Sequence, residues 1–234
     1  MISQQSIAVL KKYISRAKKT AQKASLIVIT YNRWEWTEMT LNSIFKNTFF
    51  PYDLIVVDNH STDGTVEKLK QLRRSNKIDT LILLPKNHGV YVGFNVGLKY
   101  GNYNSCLSIL GNDILVSPYW LAACCFFASR LKGLVAPPTQ AKVRGWVTRH
   151  KCPIVKYEGM RIVRITWSVV PPVMTKATLQ KIGYFREDIG KRELSFYGVA
   201  DTEYGERAAK LGVGTYYILD TDCKHIPCML GELQ

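Results

Sequence analysis

Three stretches place side chains able to do chemistry at the ends of apolar or helical runs. In "DLIVVDNHSTDGT" (53–65), Asp58, Asn59, His60, Ser61, Thr62 and Asp63 follow Leu54 to Val57. A buried strand would end there in groups that a core cannot hold, and in open α/β sheets such strand ends are where a nucleotide's base and ribose are bound. In "LSILGNDILVSP" (107–118), Asn112 and Asp113 close a second apolar run. A lone carboxylate beside an amide can hold Mg²⁺ or Mn²⁺ when diphosphate oxygens and water complete the octahedron. An Asp that opens a turn ahead of Pro118 is the alternative use of the same residue. In "ADTEYGERAAKLG" (200–212), Asp201 stands at the mouth of a helix that Gly212 stops, a position suited both to a helix cap and to a carboxylate on the rim of a cleft.

These groups need a scaffold, and the apolar pattern supplies one. "SLIVITYN" (25–32), "YDLIVVD" (52–58), "DTLILLP" (79–85) and "SCLSILGND" (105–113) have the length and β-branching of buried strands. Between them "WTEMTLNSIF" (36–45), "TVEKLKQLRR" (65–74) and "GVYVGFNVGLKYG" (89–101) read as helices. Strands alternating with helices predict parallel βαβ units, with ligand-binding loops at one edge of the sheet. "WLAACCFFA" (120–128) is a buried helix, too short for the roughly 20 apolar residues that cross a bilayer. The second half is basic, with aromatics interleaved through 142–170, then a helix and turn over 178–189, a helix over 200–212 and a late strand, "GTYYILD" (214–220). Its strands are expected to join the same sheet.

The formal charge is +14, and Lys11, Lys12, Arg16, Lys18, Lys19 and Lys23 all precede the first acid. Ile7, Leu10, Ile14, Ala17 and Ala21 recur at helical spacing, which predicts a basic amphipathic helix within residues 1–24. Such a helix either lies on an anionic membrane surface, touches nucleic acid, or packs on the domain by its apolar stripe. Six cysteines show no CxxC pair and no secretory signal is read ahead of them, so reduced structural thiols are expected, with the spacing of Cys223 and Cys228 leaving a bridge open. A cytoplasmic location, with or without peripheral attachment to a membrane, follows as the expectation.

The blocks "LIVITYNRWEWTEMTLNSIFKNT", "DLIVVDNHSTDGT", "NHGVYVGFNVGL" and "LSILGNDILVSPYWL", followed in order by "KIGYFREDI" and "GVADTEYGERAAKLG", resemble the inverting family 2 glycosyltransferases. The resemblance implies a GT-A-type α/β fold, a mostly parallel twisted sheet flanked by helices in a single domain over 25–234. Its nucleotide-binding half would be about 25–125 and its acceptor half about 126–234. It implies a hexosyltransferase-like enzyme using a nucleotide-sugar donor, a Mn²⁺ or Mg²⁺ cofactor, and a glycan, protein or lipid-linked acceptor. Thr30, Tyr31, Asn32, Asp58, Asn59, Gly89, Asn95 and Asn112 would contact the donor. Asp113 would match the last acid of the family's DXD signature and touch the metal, with His225 of "DCKHIP" completing the site. Gly111 stands where the signature has its first acid. Asp201 would be the general base, although Val199 and Ala200 replace the acid that usually precedes it. Glu203 is the reserve candidate. Trp146, Trp167, Arg144, Arg149, Lys151, Arg161 and Arg164 are candidates for acceptor recognition.

Other functions fit less well. "TYNRWEW" after the first strand lacks the GxGxxG fingerprint, and the P-loop pattern GxxxxGK[ST] is absent, which excludes the common dinucleotide and ATPase sites. A nucleotidyltransferase would want a glycine-rich, lysine-bearing loop at the same place. A catalytically degenerate nucleotide-sugar-binding protein is compatible with Gly111 and Ala200. A basic nucleic-acid-binding module is suggested by charge alone, without a recognisable motif, and no specific nucleic acid is expected.

Overall fold

The computed structural model describes residues 2–138, 147, 151–165, 172–188 and 199–229, with the backbone alone at 199–201 and 228. Arg144, Trp146, Arg149 and Trp167 lie outside the described residues.

Four parallel strands form one half of the sheet: β1 (Ala24–Thr30), β2 (Tyr52–Asp58), β3 (Thr80–Leu83) and β4 (Cys106–Gly111). They are joined by α2 (Trp34–Asn47), α3 (Thr65–Arg74) and α4 (Val90–Gly101). After the short β5 (Ile114–Val116) and α5 (Trp120–Leu131), the chain adds β6 (Leu134–Ala136), β7 (Ile154–Tyr157), β8 (Met160–Ile165), β9 (Val173–Thr175) and β10 (Thr215–Ile218). The sheet order among the described residues is β3-β2-β1-β4-β9-β6-β10-β8-β7, with β9 and β8 running against the rest. The strands of both halves therefore share one mostly parallel α/β sheet, as the apolar runs predict.

The central strands are buried on both faces, which is why their sequences are continuously apolar. Leu26 and Val28 of β1 point into a core with α2, α3 and α5, while Ile27 and Ile29 point into a second core with α4. That second core also holds α6 (Lys176–Ile182) and α7 (Val199–Lys210). A glycine row lets α4 lie directly on β1: a Cβ at Gly97 would stand 2.2 Å from the Ile27 Cγ2, and one at Gly93 3.1 Å from that of Ile29.

The N-terminal helix α1 (Gln4–Lys19) forms as the periodicity predicts, with Ser3 capping the Ser6 N–H and Arg16, Lys18 and Lys19 in its last turn. Leu10, Ile14 and Ala17 are buried against the domain and α1 packs on α5. Of the three uses open to this helix, its apolar stripe serves packing and is not available to enter a bilayer. Its exposed face carries Lys11, Lys12, Arg16, Lys18 and Lys19. Cys223 is a free, buried thiol, and the side chain of Cys228, its candidate partner by spacing, lies outside the described residues.

Candidate active site

Thr30 and Asp58 end adjacent parallel strands and are paired in register. The Asp58 carboxylate is 1% exposed and accepts from the Thr30 hydroxyl (2.9 Å), the Ser61 hydroxyl (2.5 Å) and the Ser61 N–H (2.8 Å). An ionised carboxylate has about four acceptor positions, so Asp58 keeps little for a ligand. Its visible work is to fold the 58–61 turn onto the end of β1. The Ser61 hydroxyl in turn accepts from the Asn32 N–H at 2.8 Å, and the Asn32 side chain accepts from the Thr62 N–H at 2.8 Å. Asn32 holds a left-handed backbone, φ 51°, and Tyr31 beside it is exposed.

Asp63 closes the same loop by serving two helices. Arg33 and Gly64, at the caps of α2 and α3, provide no side-chain cap. The Asp63 carboxylate accepts instead from the first N–H of each, Trp34 at 3.3 Å and Thr65 at 3.1 Å. Burial pushes the Asp63 carboxyl up, but hydrogen bonds from Thr65 and Trp34 outweigh it and hold the group below its usual value.

A third strand end joins these two. The Asn112 amide donates to the Asn32 carbonyl (3.1 Å) and the Thr37 hydroxyl (2.9 Å), tying the loop after β4 to the loop after β1. Asp113 then meets His225. The strand β11 (Cys223–His225) pairs antiparallel with β5, setting His225 opposite Ile114, and His225 Nε2 lies 3.0 Å from Asp113 Oδ2. Their side chains are 23% and 28% exposed, so the pair sits at a surface that a ligand can reach. The glycine at 111 makes room for this arrangement, since a Cβ there would stand 2.6 Å from Asp113 Oδ1.

Asn59 and Gly89 meet at a fourth loop: the Asn59 amide donates to Asn87 (2.9 Å) and accepts from the His88 N–H (2.9 Å), and Asn87 accepts from the Gly89 N–H (2.8 Å). Asn95 is placed differently from the expected donor contact. It is 1% exposed, and its amide is occupied by the Phe185 backbone and Glu187. Asp201 lies in the first turn of α7, and its side chain is outside the described residues. Glu203 is paired with Arg207 at 2.8 Å and points along the helix. Of the basic acceptor candidates, Arg161 is held by Asp220 in a two-pronged ion pair at 2.7 and 2.9 Å, so its charge is already engaged.

Sequence reasoning did not single out Ser61, Thr37, Asn87 or Phe185. Ser61, three residues after Asp58, carries the local signal of an Asx turn; Asn87 bonds locally to Gly89 and across 28 residues to Asn59, and Thr37 and Phe185 meet Asn112 and Asn95 over long separations.

Polar convergence marks this site, and cavity volume does not. A 910 Å³ groove between α5, β7, β8 and β10 is lined by Phe127, Val155, Tyr157, Arg164 and Tyr216 among others, with no carboxylate among its described lining residues.

The sequence profile described as "Glycosyl transferase family 2" matches residues 25–188. The chain belongs to this family. Within it, similar proteins include the glycosyltransferase AglE of Haloferax volcanii, 28% identical over 99 residues, covering 42% of this chain and 32% of AglE. The putative teichuronic acid biosynthesis glycosyltransferase TuaG of Bacillus subtilis is 31% identical over 75 residues, 32% of this chain and 30% of TuaG. This chain thus spans about a third of the length of these relatives. Among solved structures, GalNAc-T7 with UDP, GalNAc and Mn²⁺ superimposes with a TM-score of 0.68 at 12% identity, over 87% of this chain and 44% of that one. The mannosyltransferase PcManGT of Pyrobaculum calidifontis, in complex with GDP-Man and Mn²⁺, gives 0.64 at 20% identity, over 94% and 65%. At these identities the likeness establishes a shared GT-A fold.

Proposed function

We propose that this chain is an inverting glycosyltransferase that moves a sugar from a nucleoside-diphosphate sugar to an acceptor hydroxyl. The observation that carries the reading is the convergence, at the carboxyl ends of β1, β2 and β4, of the Asp58 loop, Asn112 and an Asp113–His225 pair assembled from residues 112 positions apart. A donor nucleotide would lie along Tyr31, Asn32 and Gly89, over the loop that the buried Asn59 holds from beneath, with its diphosphate toward Asp113.

A carboxylate oxygen and an imidazole nitrogen form a donor set that suits Mn²⁺ better than Mg²⁺. Among the described residues no group of three or more His, Cys, Asp or Glu side chains could hold a metal. Asp113 and His225 would therefore hold the ion together with the donor's own diphosphate oxygens. The positive charge it supplies there would favour departure of a nucleoside diphosphate. Asp201, at the start of α7, would take the proton of the acceptor hydroxyl as that oxygen bonds to the anomeric carbon and the bond to the diphosphate breaks, inverting the configuration. The two structural neighbours bound to nucleotides and Mn²⁺ support this reading.

A peripheral contact with anionic membrane belongs to the same proposal. Lys11, Lys12, Arg16, Lys18 and Lys19 are exposed and α1 has no acid in its first turn, so the contact would be electrostatic. No helix among the described residues is long and apolar enough to cross a membrane.

Titration calorimetry with UDP and with GDP, each with and without Mn²⁺, tests the reading. Metal-dependent nucleotide binding is expected. Binding of a mixed-sequence oligonucleotide with steep salt dependence, and no nucleotide binding, would instead favour a nucleic-acid module.

A further inference from the structure

We infer that Asn95, acting through Phe185, is the positioning residue that sets the start of α7 relative to the donor end of the sheet. The inference deepens the assignment of Asp201 as general base and rests on it for its catalytic meaning, while the mechanical linkage stands on contacts between described side chains.

The frame is α4. Its glycine row presses it onto β1, and its entry is fastened to the donor loops through Asn87 and Asn59. A helix held so closely at one face has little freedom to shift. From α4, Asn95 grips the main chain of Phe185 on both sides. It accepts from the Phe185 N–H at 2.9 Å, donates to the Phe185 carbonyl at 2.9 Å, and donates its other amide hydrogen to Glu187 at 2.8 Å. The grip spans 90 residues of sequence and is sealed from water.

Phe185 passes the position on. Its ring stacks on Tyr204 of α7 at 4.1 Å with an interplanar angle of 15°, and meets Tyr91 at 5.9 Å and Phe94 at 5.8 Å on the α4 side. The fully buried Tyr204 also donates its hydroxyl to the Gly183 carbonyl at 3.1 Å. One turn further on, Arg207 caps the end of α6 in trans, donating to the carbonyls of Ile182 (2.7 Å) and Tyr184 (2.9 Å) while Glu203 braces it. The helix α7 is thus registered at two successive turns to the 182–185 segment, and that segment to α4. Asp201 precedes Tyr204 by three residues, so its backbone lies about 4.5 Å further along the axis at the helical rise per residue. A displacement of Phe185 would be passed through Tyr204 to the backbone at 201, and misplacement of a base by about 1 Å can lower a rate by about 10²-fold.

The test uses Asn95→Asp, which keeps shape but loses both amide donors and sets a carboxylate against the Phe185 carbonyl and Glu187. Phe185→Leu serves as a second, milder variant. Hydrogen exchange of the amides in 202–206 should quicken about tenfold or more in both, with those of 54–58 unchanged, as for local loosening. Release of nucleoside diphosphate from UDP-glucose, UDP-N-acetylglucosamine or GDP-mannose, whichever is turned over, should fall in kcat by about 30-fold or more, while calorimetric binding of UDP or GDP with Mn²⁺ stays within about threefold. Unchanged exchange in α7, or equal quickening throughout the sheet, overturns the linkage. Unchanged kcat in these variants alongside an inactive Asp201→Asn overturns the positioning role alone. Turnover by Asp201→Asn removes the base assignment, and the exchange result then decides the linkage by itself.

Discussion

The donor end and the α7 end of the molecule hold their polar groups by different means. At the donor end each loop is first folded by bonds short in sequence, Ser61 to Asp58, Gly89 to Asn87 and Thr65 to Asp63, and the loops are then joined to one another by Asn32, Asn112 and the Asp113–His225 pair. At the α7 end the bonds instead join separate elements: Asn95 to Phe185 across 90 residues, and Arg207 to Ile182 and Tyr184 across 25 and 23. A loop fixed by its own residues stays formed whether or not the rest of the molecule shifts. A helix fixed through a distant ring depends on everything in between. The difference would suit the two proposed tasks: a donor nucleotide needs a stable cradle, while a base needs alignment to that cradle from across the site.

The comparison breaks most sharply at Asp201. Asp201→Asn should lower transfer by about 10²–10⁴-fold, the range for removing a general base, with UDP or GDP binding in Mn²⁺ within a few fold. Steady-state kinetics beside calorimetry reads both numbers. Unimpaired transfer would move the base elsewhere, with Glu203 the next residue to test. Asp113→Ala should act at the other end, weakening Mn²⁺-dependent nucleotide binding by about 10–100-fold, and His225→Ala should do so by less, since the imidazole adds to a carboxylate that already carries the charge. Equal nucleotide affinity with and without Mn²⁺ in the parent protein would remove the metal from the proposal.

Between the two ends lies α4, and Gly97→Ala tests it as the common frame. The new methyl would meet Ile27 Cγ2 at 2.2 Å. Ile27 is a fully buried, β-branched side chain whose χ1 is restricted, so it has little room to move aside. Overpacking of this kind costs about 1–3 kcal/mol, visible as a lowered denaturation midpoint in urea. If α4 is the frame, nucleotide binding and turnover should both suffer in the surviving folded protein.

Much of the donor end was legible in the sequence because its logic is local. "LIVIT", "LIVVD" and "LSIL" announce buried strands, and the polar residues directly after them fall at the ligand edge of a parallel sheet. The second half was less so. β5, β6, β9 and β11 are three residues each, too short to show a period, and β9 enters the sheet antiparallel between β4 and β6. The strand pairing that carries His225 to Asp113 has no signature in either segment. Asn95 was readable as a polar residue in an apolar helix, but whether it faced a ligand or another part of the chain depends on Phe185. The stripe read for α1 holds at Leu10, Ile14 and Ala17, with Ile7 half-buried and Ala21 exposed beyond the helix end, yet an amphipathic stripe looks the same whether its partner is a bilayer or α5.

The smallest effect concerns the charge that holds the donor loop to its two helices. Asp63→Asn keeps a side chain able to cap but removes the negative charge from the N-termini of α2 and α3, a change of about 0.3–1 kcal/mol at low salt. The sign with pH follows from the depressed carboxyl value. The contribution is fully present above the unfolded carboxyl range near about pH 4, and it is lost as pH falls through the lower folded value. Thermal midpoints of the parent and the variant should therefore differ at pH 7, draw together as pH falls below about 4, and coincide in strong acid. Because Asp63 is exposed, about 1 M salt should also narrow the gap at pH 7. A gap that persists in acid, where the carboxyl is protonated, would mean that the amide fails to cap as the neutral carboxyl does, and the loop would then be held by hydrogen-bond geometry in place of charge.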